Sequence, residues 1–151
     1  MRQRILVGVL VVAAACAKQE TPAADTAAAA PPPPKALALA DVAGNWTQKA
    51  YKEGTDSLMV TGDVSGTADA AGWMITLPGR KAMPMTVSVD GDSMMTASGP
   101  YESVLRKGVQ VTTNGVLRMK DGMLVGSTTA HYTVKTADSV LHLRMELTRK
   151  P

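Results

Sequence analysis

The sequence predicts an all-β domain: an eight-stranded antiparallel up-and-down barrel, with a β-sandwich as the alternative closure. Three observations carry this expectation. Short runs of alternating apolar and polar residues recur over residues 44–149. Turn signals such as Asp90-Gly91 and Asp121-Gly122 separate the runs. No stretch of that region keeps a helical period beyond one or two turns.

The chain has 151 residues, enough for one domain. Its first segment is read as a signal peptide, residues 1–15. Arg2 and Arg4 form a charged start, and residues 5–14 are apolar but too few to span a bilayer as a helix. Ala13-Ala14-Ala15 then leads to Cys16, the one cysteine of the chain. This pattern resembles the lipobox of bacterial lipoproteins, although that family prefers Leu where Ala13 stands. The resemblance implies cleavage before Cys16 and lipidation of Cys16, and two or three acyl chains at about 0.8 kcal/mol per buried CH₂ make a lasting anchor. Ala17 follows the cysteine, where the family's inner-membrane retention signal has Asp, so the resemblance implies the outer membrane, periplasmic side. An ordinary secretory signal cut near Ala15, with Cys16 a stray thiol, is the alternative. A single cysteine offers no disulfide framework.

Residues 16–36 form the lipidated cysteine and an Ala/Pro-rich tether ending in Pro31-Pro32-Pro33-Pro34 and Lys35-Ala36. Such a composition has no core of its own and is expected to stay disordered. The domain is placed at residues 37–151. Without the signal, 14 basic residues face 13 acidic ones, because Arg2 and Arg4 are lost. A net charge of +1 with no basic cluster argues against a nucleic-acid partner.

The strands follow in order. Residues 44–51 hold Trp46. Residues 56–64 carry Leu58 and Val60 in phase. Residues 73–77 alternate Trp73, Ile75 and Leu77 against Met74 and Thr76. Residues 83–89 put Met83, Met85, Val87 and Val89 on one face. Residues 93–99 form a fifth strand whose face is ambiguous, since Met94 and Met95 are adjacent. Residues 99–108 form the longest later loop, with one helical turn expected over 102–107 before Gly108.

The last three strands occupy residues 109–147, and their register is set by the turns. Asp121-Gly122 supplies a type I′ hairpin. Lys120 then faces Met123, Met119 faces Leu124, Leu117 faces Gly126, Gly115 faces Thr128, Thr113 faces Ala130, Val111 faces Tyr132 and Val109 faces Val134. The rival turn Asn114-Gly115 is rejected because it would split an otherwise continuous apolar face, and Gly115 is read as a bend or bulge. A turn over residues 135–138 sets Val134 against Ser139. It places Leu141, Leu143, Met145 and Leu147 inside and His131 opposite His142 outside.

Gly44-Asn45-Trp46 at the start of the first strand, before an eight-stranded meander, resembles the lipocalins and the wider calycin group. In that family a basic residue near the end of the last strand packs across the tryptophan. Arg149 continues the inward series of the eighth strand, so the resemblance implies barrel closure through Gly44, Trp46 and Arg149. It also implies a small apolar ligand inside the barrel. The likeness in motif is confined to Gly44, Trp46 and Arg149, and no C-terminal helix matches that family.

The domain has no Phe and nine methionines, which can line an adaptable cavity or fill a core poor in aromatics. The cavity candidates are Met59, Met85, Met119, Tyr132 and Met145. No nucleophile motif, phosphate-binding glycine loop or His-Glu-x-x-His stands out, so no catalytic residue is assigned and the chain is read as a non-enzyme. No cofactor is expected. His131 and His142 offer two metal ligands at most, and Met83-Pro84-Met85 resembles a copper-protein element but points inward.

The expectation is a periplasm-facing outer-membrane lipoprotein, non-catalytic, that binds a small apolar ligand in its barrel. The alternative is a filled barrel acting as a structural or protein-interaction module with an envelope protein as partner. The loop 99–108 is the candidate lid or partner contact.

Overall fold

The computed structural model describes residues 36–151. The signal segment, Cys16 and the tether up to Lys35 lie outside the described residues. Eight antiparallel strands follow in chain order and close into a barrel. They are β1 (Gly44–Lys52), β2 (Leu58–Gly66), β3 (Met74–Thr76), β4 (Met83–Asp90), β5 (Ser93–Glu102), β6 (Gln110–Lys120), β7 (Met123–Tyr132) and β8 (Val140–Arg149). β8 pairs with β1, from Trp46 opposite Arg149 to Lys52 opposite Leu143. That closure removes the free edges of an open meander and excludes the sandwich.

The register of β6 and β7 is the one the turn chemistry demands, from Lys120 opposite Met123 to Val111 opposite Tyr132. Asp121 and Gly122 have φ of +51° and +79°, both in the left-handed region a type I′ turn requires. β6 runs through Asn114-Gly115 with no shift in either ladder there, so Gly115 is neither turn nor bulge.

Two expectations fail. β7 and β8 pair two residues out of the expected register: His131 lies opposite Val140, and Thr129 opposite His142. The cause is a longer connection. A single turn of 3-10 helix at Ala137–Ser139 takes up the residues that would have extended the ladder. A slip of two preserves side-chain parity, so Leu143, Met145 and Leu147 remain buried inside. The helical turn expected over 102–107 does not form. β5 instead continues to Glu102 across a register shift between Ser98 and Tyr101.

The two ends of the barrel differ. At the floor lie Trp46, Trp73, Met94, Leu124 and Leu147, all essentially without solvent exposure. A short helix, α1 (Leu39–Val42), plugs this end with the fully buried Val42. The Leu37 amide donates to the Gly91 carbonyl at 2.9 Å, so the described chain joins the barrel at its floor. At the mouth are the loops 53–57, 77–82, 103–109 and 133–139. Pairing is sparse beside this end: β3 makes three pairs with β2 and two with β4.

Candidate ligand cavity

The mouth half of the barrel holds a cavity of about 70 Å³. One side is apolar, formed by Ala50, Val60, Ile75, Leu77, Met85 and Met145 from β1, β2, β3, β4 and β8 and the segment after β3. The other side is a row of hydroxyls: Thr96 and Ser98 from β5, Thr113 from β6 and Thr128 from β7. Strand register puts them there. Met85 and Val87 point inward, and their partners Ser98 and Thr96 therefore do too. Thr113 and Thr128 share the inward parity of Val111 and Ala130. Among the described residues no charged side chain lines the cavity.

Gly115 sits in the middle of the hydroxyl row, opposite Thr96 on one side and Thr128 on the other. A Cβ at this glycine would lie 2.6 Å from both threonine hydroxyl oxygens. Glycine thus keeps open a gap between two hydroxyls that any other residue would fill. Ser98 Oγ and Thr113 Oγ1 hydrogen-bond to each other at 2.7 Å. Tyr101 stands above them. Burial pushes its phenol above the ordinary value, while the hydroxyls of Thr113 and Ser98 oppose that shift.

Gln48 also lines the cavity, and only 8% of it is exposed. Among the described residues, no buried side-chain nitrogen or oxygen is sealed away without a partner. The Gln48 amide and the hydroxyls of Thr96 and Thr128 stand on the cavity they line.

The loop 103–109 covers the mouth. Val104 and Leu105 line the cavity from above and also border an outer groove with Leu58, Met59 and Pro78. Its shape comes from local hydrogen bonds. Ser103 Oγ accepts from the amides of Leu105 at 3.0 Å and Arg106 at 3.1 Å. The Glu102 carboxylate accepts from the Gly108 amide at 2.8 Å. The Arg106 guanidinium lies 4.2 Å from the centre of the Tyr132 ring. The loop expected to act as a lid therefore does cover the cavity, with 99–102 belonging to β5.

Of the candidate cavity residues, Met85, Tyr132 and Met145 line it. Met59 does not: it borders the outer groove, with Ser57 Oγ 4.0 Å from its sulfur. Met119 does not either. It is 38% exposed at the β6–β7 hairpin, at the floor end and beyond the packed core. Its inward parity persists, but the strand has already run past the rim. Gln48 and the hydroxyl row carry no methionine or other apolar signal of a cavity. The available signal was a polar residue at an inward strand position.

The floor contact between β1 and β8 is formed. The Arg149 guanidinium lies 4.4 Å from the Trp46 ring centre and donates to the carbonyls of Ala43 at 2.7 Å and Asp41 at 3.1 Å. The Trp46 indole donates to Val42 O at 3.0 Å. Gly44 has φ +133°, and a Cβ there would lie 2.7 Å from Arg149 Nη1. The glycine is thus required by backbone angle and by room for the guanidinium. Arg144, on the outer face, covers Tyr51 instead, at 4.3 Å.

His131 and His142 do not oppose each other. His142 Nδ1 instead lies 3.3 Å from Thr129 Oγ1. Among the described residues no three His, Cys, Asp or Glu side chains gather for a metal. No described helix is long and apolar enough to cross a membrane. No family model, curated protein or solved structure matches this chain.

Proposed function

We propose that this chain is a lipid-anchored protein of the outer membrane, facing the periplasm, whose barrel binds a small ligand without transforming it. The observation that carries this reading is the internal cavity beneath the 103–109 loop. A barrel of eight strands can be filled by its own side chains. Here one half is filled and the other holds a cavity lined in part by inward-facing polar groups. The charged, apolar and small-residue segments before Cys16 support the anchor.

Size constrains the ligand. A cavity of about 150 Å³ takes up benzene, and drug-sized ligands occupy roughly 300–1,000 Å³. The present 70 Å³ admits a compact molecule, or a larger one once Val104 and Leu105 move aside. Native mass spectrometry of the full chain, released from detergent, tests the reading. An extra mass lost on organic extraction supports a carrier and names its ligand class. A bare mass, with no uptake of offered fatty acid or haem, defeats the carrier reading for molecules of that kind. The same spectrum reports the diacylglyceryl group on Cys16.

A second reading rests on the same end of the molecule. Leu58, Val104 and Leu105 are at least one-third exposed around the mouth, which suits contact with another envelope protein. Its support would be cross-linking from this rim in cells, with no small molecule retained.

A further inference from the structure

We propose that the cavity selects an uncharged, oxygen-bearing ligand, whose oxygen meets the Thr96 and Thr128 hydroxyls above Gly115 and whose apolar part lies against Ile75, Met85 and Met145. The proposal rests on the ligand-binding reading and adds the chemical class.

Three features converge on it. The hydroxyls of Thr96 and Thr128 flank one gap, each 2.6 Å from the point a Gly115 Cβ would take. Both line the cavity, so a single hydroxyl or carbonyl oxygen just beyond that point can meet both. The Gln48 amide, nine-tenths buried, supplies further donors and an acceptor on the same cavity. A wholly apolar ligand would leave all these groups desolvated and unpaired, which costs more than the same burial against an apolar wall.

Charge is excluded on the opposite ground. Among the described residues no Lys, Arg or His lines the cavity to pair a carboxylate, and no Asp or Glu to pair an amine. The desolvation that raises the Tyr101 phenol would act equally on a buried carboxylate. The cations about the mouth are engaged elsewhere: Arg106 is stacked on Tyr132, and Arg80 lies 4.0 Å from the Glu102 carboxylate.

Phenol, toluene and benzoate make the test, each entering once Val104 and Leu105 move aside as the ligand-binding reading requires. Phenol and toluene have nearly the same shape, and toluene leaves water more readily, so burial alone ranks toluene first. Binding is followed by amide chemical shifts of the full chain carrying Cys16→Ser, which removes acylation and the detergent that would dissolve the probes. The expected result is phenol binding at least as tightly as toluene, with benzoate weaker than both. In Thr96→Val/Thr128→Val the order reverses, phenol losing roughly tenfold and toluene gaining. The double variant should keep its melting temperature, because valine has nearly the shape of threonine and suits a strand position as well. Should it not fold, each single valine variant carries the same comparison. Toluene ahead of phenol in the parent, benzoate ahead of phenol, or an unchanged order in the variants each overturns the ligand class and leaves ligand binding standing. No uptake of any probe overturns the ligand-binding reading and the class together.

Discussion

The floor and the mouth of this barrel are made from the same eight strands, yet they solve opposite problems. At the floor, Trp46, Trp73, Met94, Leu124 and Leu147 interlock without exposure, and α1 closes the end with Val42. At the mouth, inward positions carry Gln48, Ser98, Thr96, Thr113 and Thr128, and a short loop stands in for a plug. The polar residues there weaken packing and keep a cavity open. The difference teaches that a small barrel can assign its stability to one end and its ligand chemistry to the other.

The largest expected effect sets the two ends against each other. Trp46→Ala removes a fully buried indole and its hydrogen bond to Val42, and should destabilise the domain by about 3–5 kcal/mol. Leu105→Ala, at a residue 36% exposed over the mouth, should cost no more than about 1 kcal/mol while speeding ligand exchange. Urea unfolding of both variants checks this. Equal losses of stability would erase the division between the ends.

A smaller effect sharpens the floor. Arg149→Met keeps the aliphatic stem but removes the cation over Trp46 and both carbonyl contacts to the α1 segment. The expected cost is about 1–2 kcal/mol. Hydrogen exchange should quicken around α1 and the start of β1 and stay unchanged in the 103–109 loop. Faster exchange throughout the barrel would mean that the guanidinium supports the whole fold and not one end.

The fold was legible in the sequence where local chemistry decides it. Asp121-Gly122 sets one hairpin, period-two alternation sets the faces, and closure of β1 on β8 brings Trp46 and Arg149 together. Legibility ended where a connection absorbs an unknown number of residues. The 3-10 turn at Ala137–Ser139 moved His142 from His131 to Thr129, and nothing in residues 133–139 announces its length. Apolar parity was also an incomplete guide to the cavity. Met119 has the right parity and the wrong height along the barrel, whereas Thr96 and Thr128 have both. Gly115 stands out in the sequence as a bend or bulge, yet both ladders run through it unbroken. Its purpose, room between two hydroxyls, needs three strands in register before it can be seen.

The smallest effect tests the mouth through one titrating group. Burial is the main cause that raises the Tyr101 phenol above its ordinary value, so the folded state holds this proton more tightly than the unfolded chain does. Below about pH 10 both states are protonated and Tyr101 contributes no pH dependence. As pH rises past that value the unfolded chain releases its proton first, and stability falls until the folded-state phenol also ionises. Urea midpoints of the native chain should therefore decline more steeply above pH 10 than those of Tyr101→Phe. The contrast locates desolvation at the mouth, because Tyr101 adjoins the Ser98–Thr113 pair in the wall that faces the cavity. Parallel curves for the two proteins would mean that the phenol is as well solvated folded as unfolded. The mouth would then lack the low-dielectric character on which the exclusion of charged ligands depends.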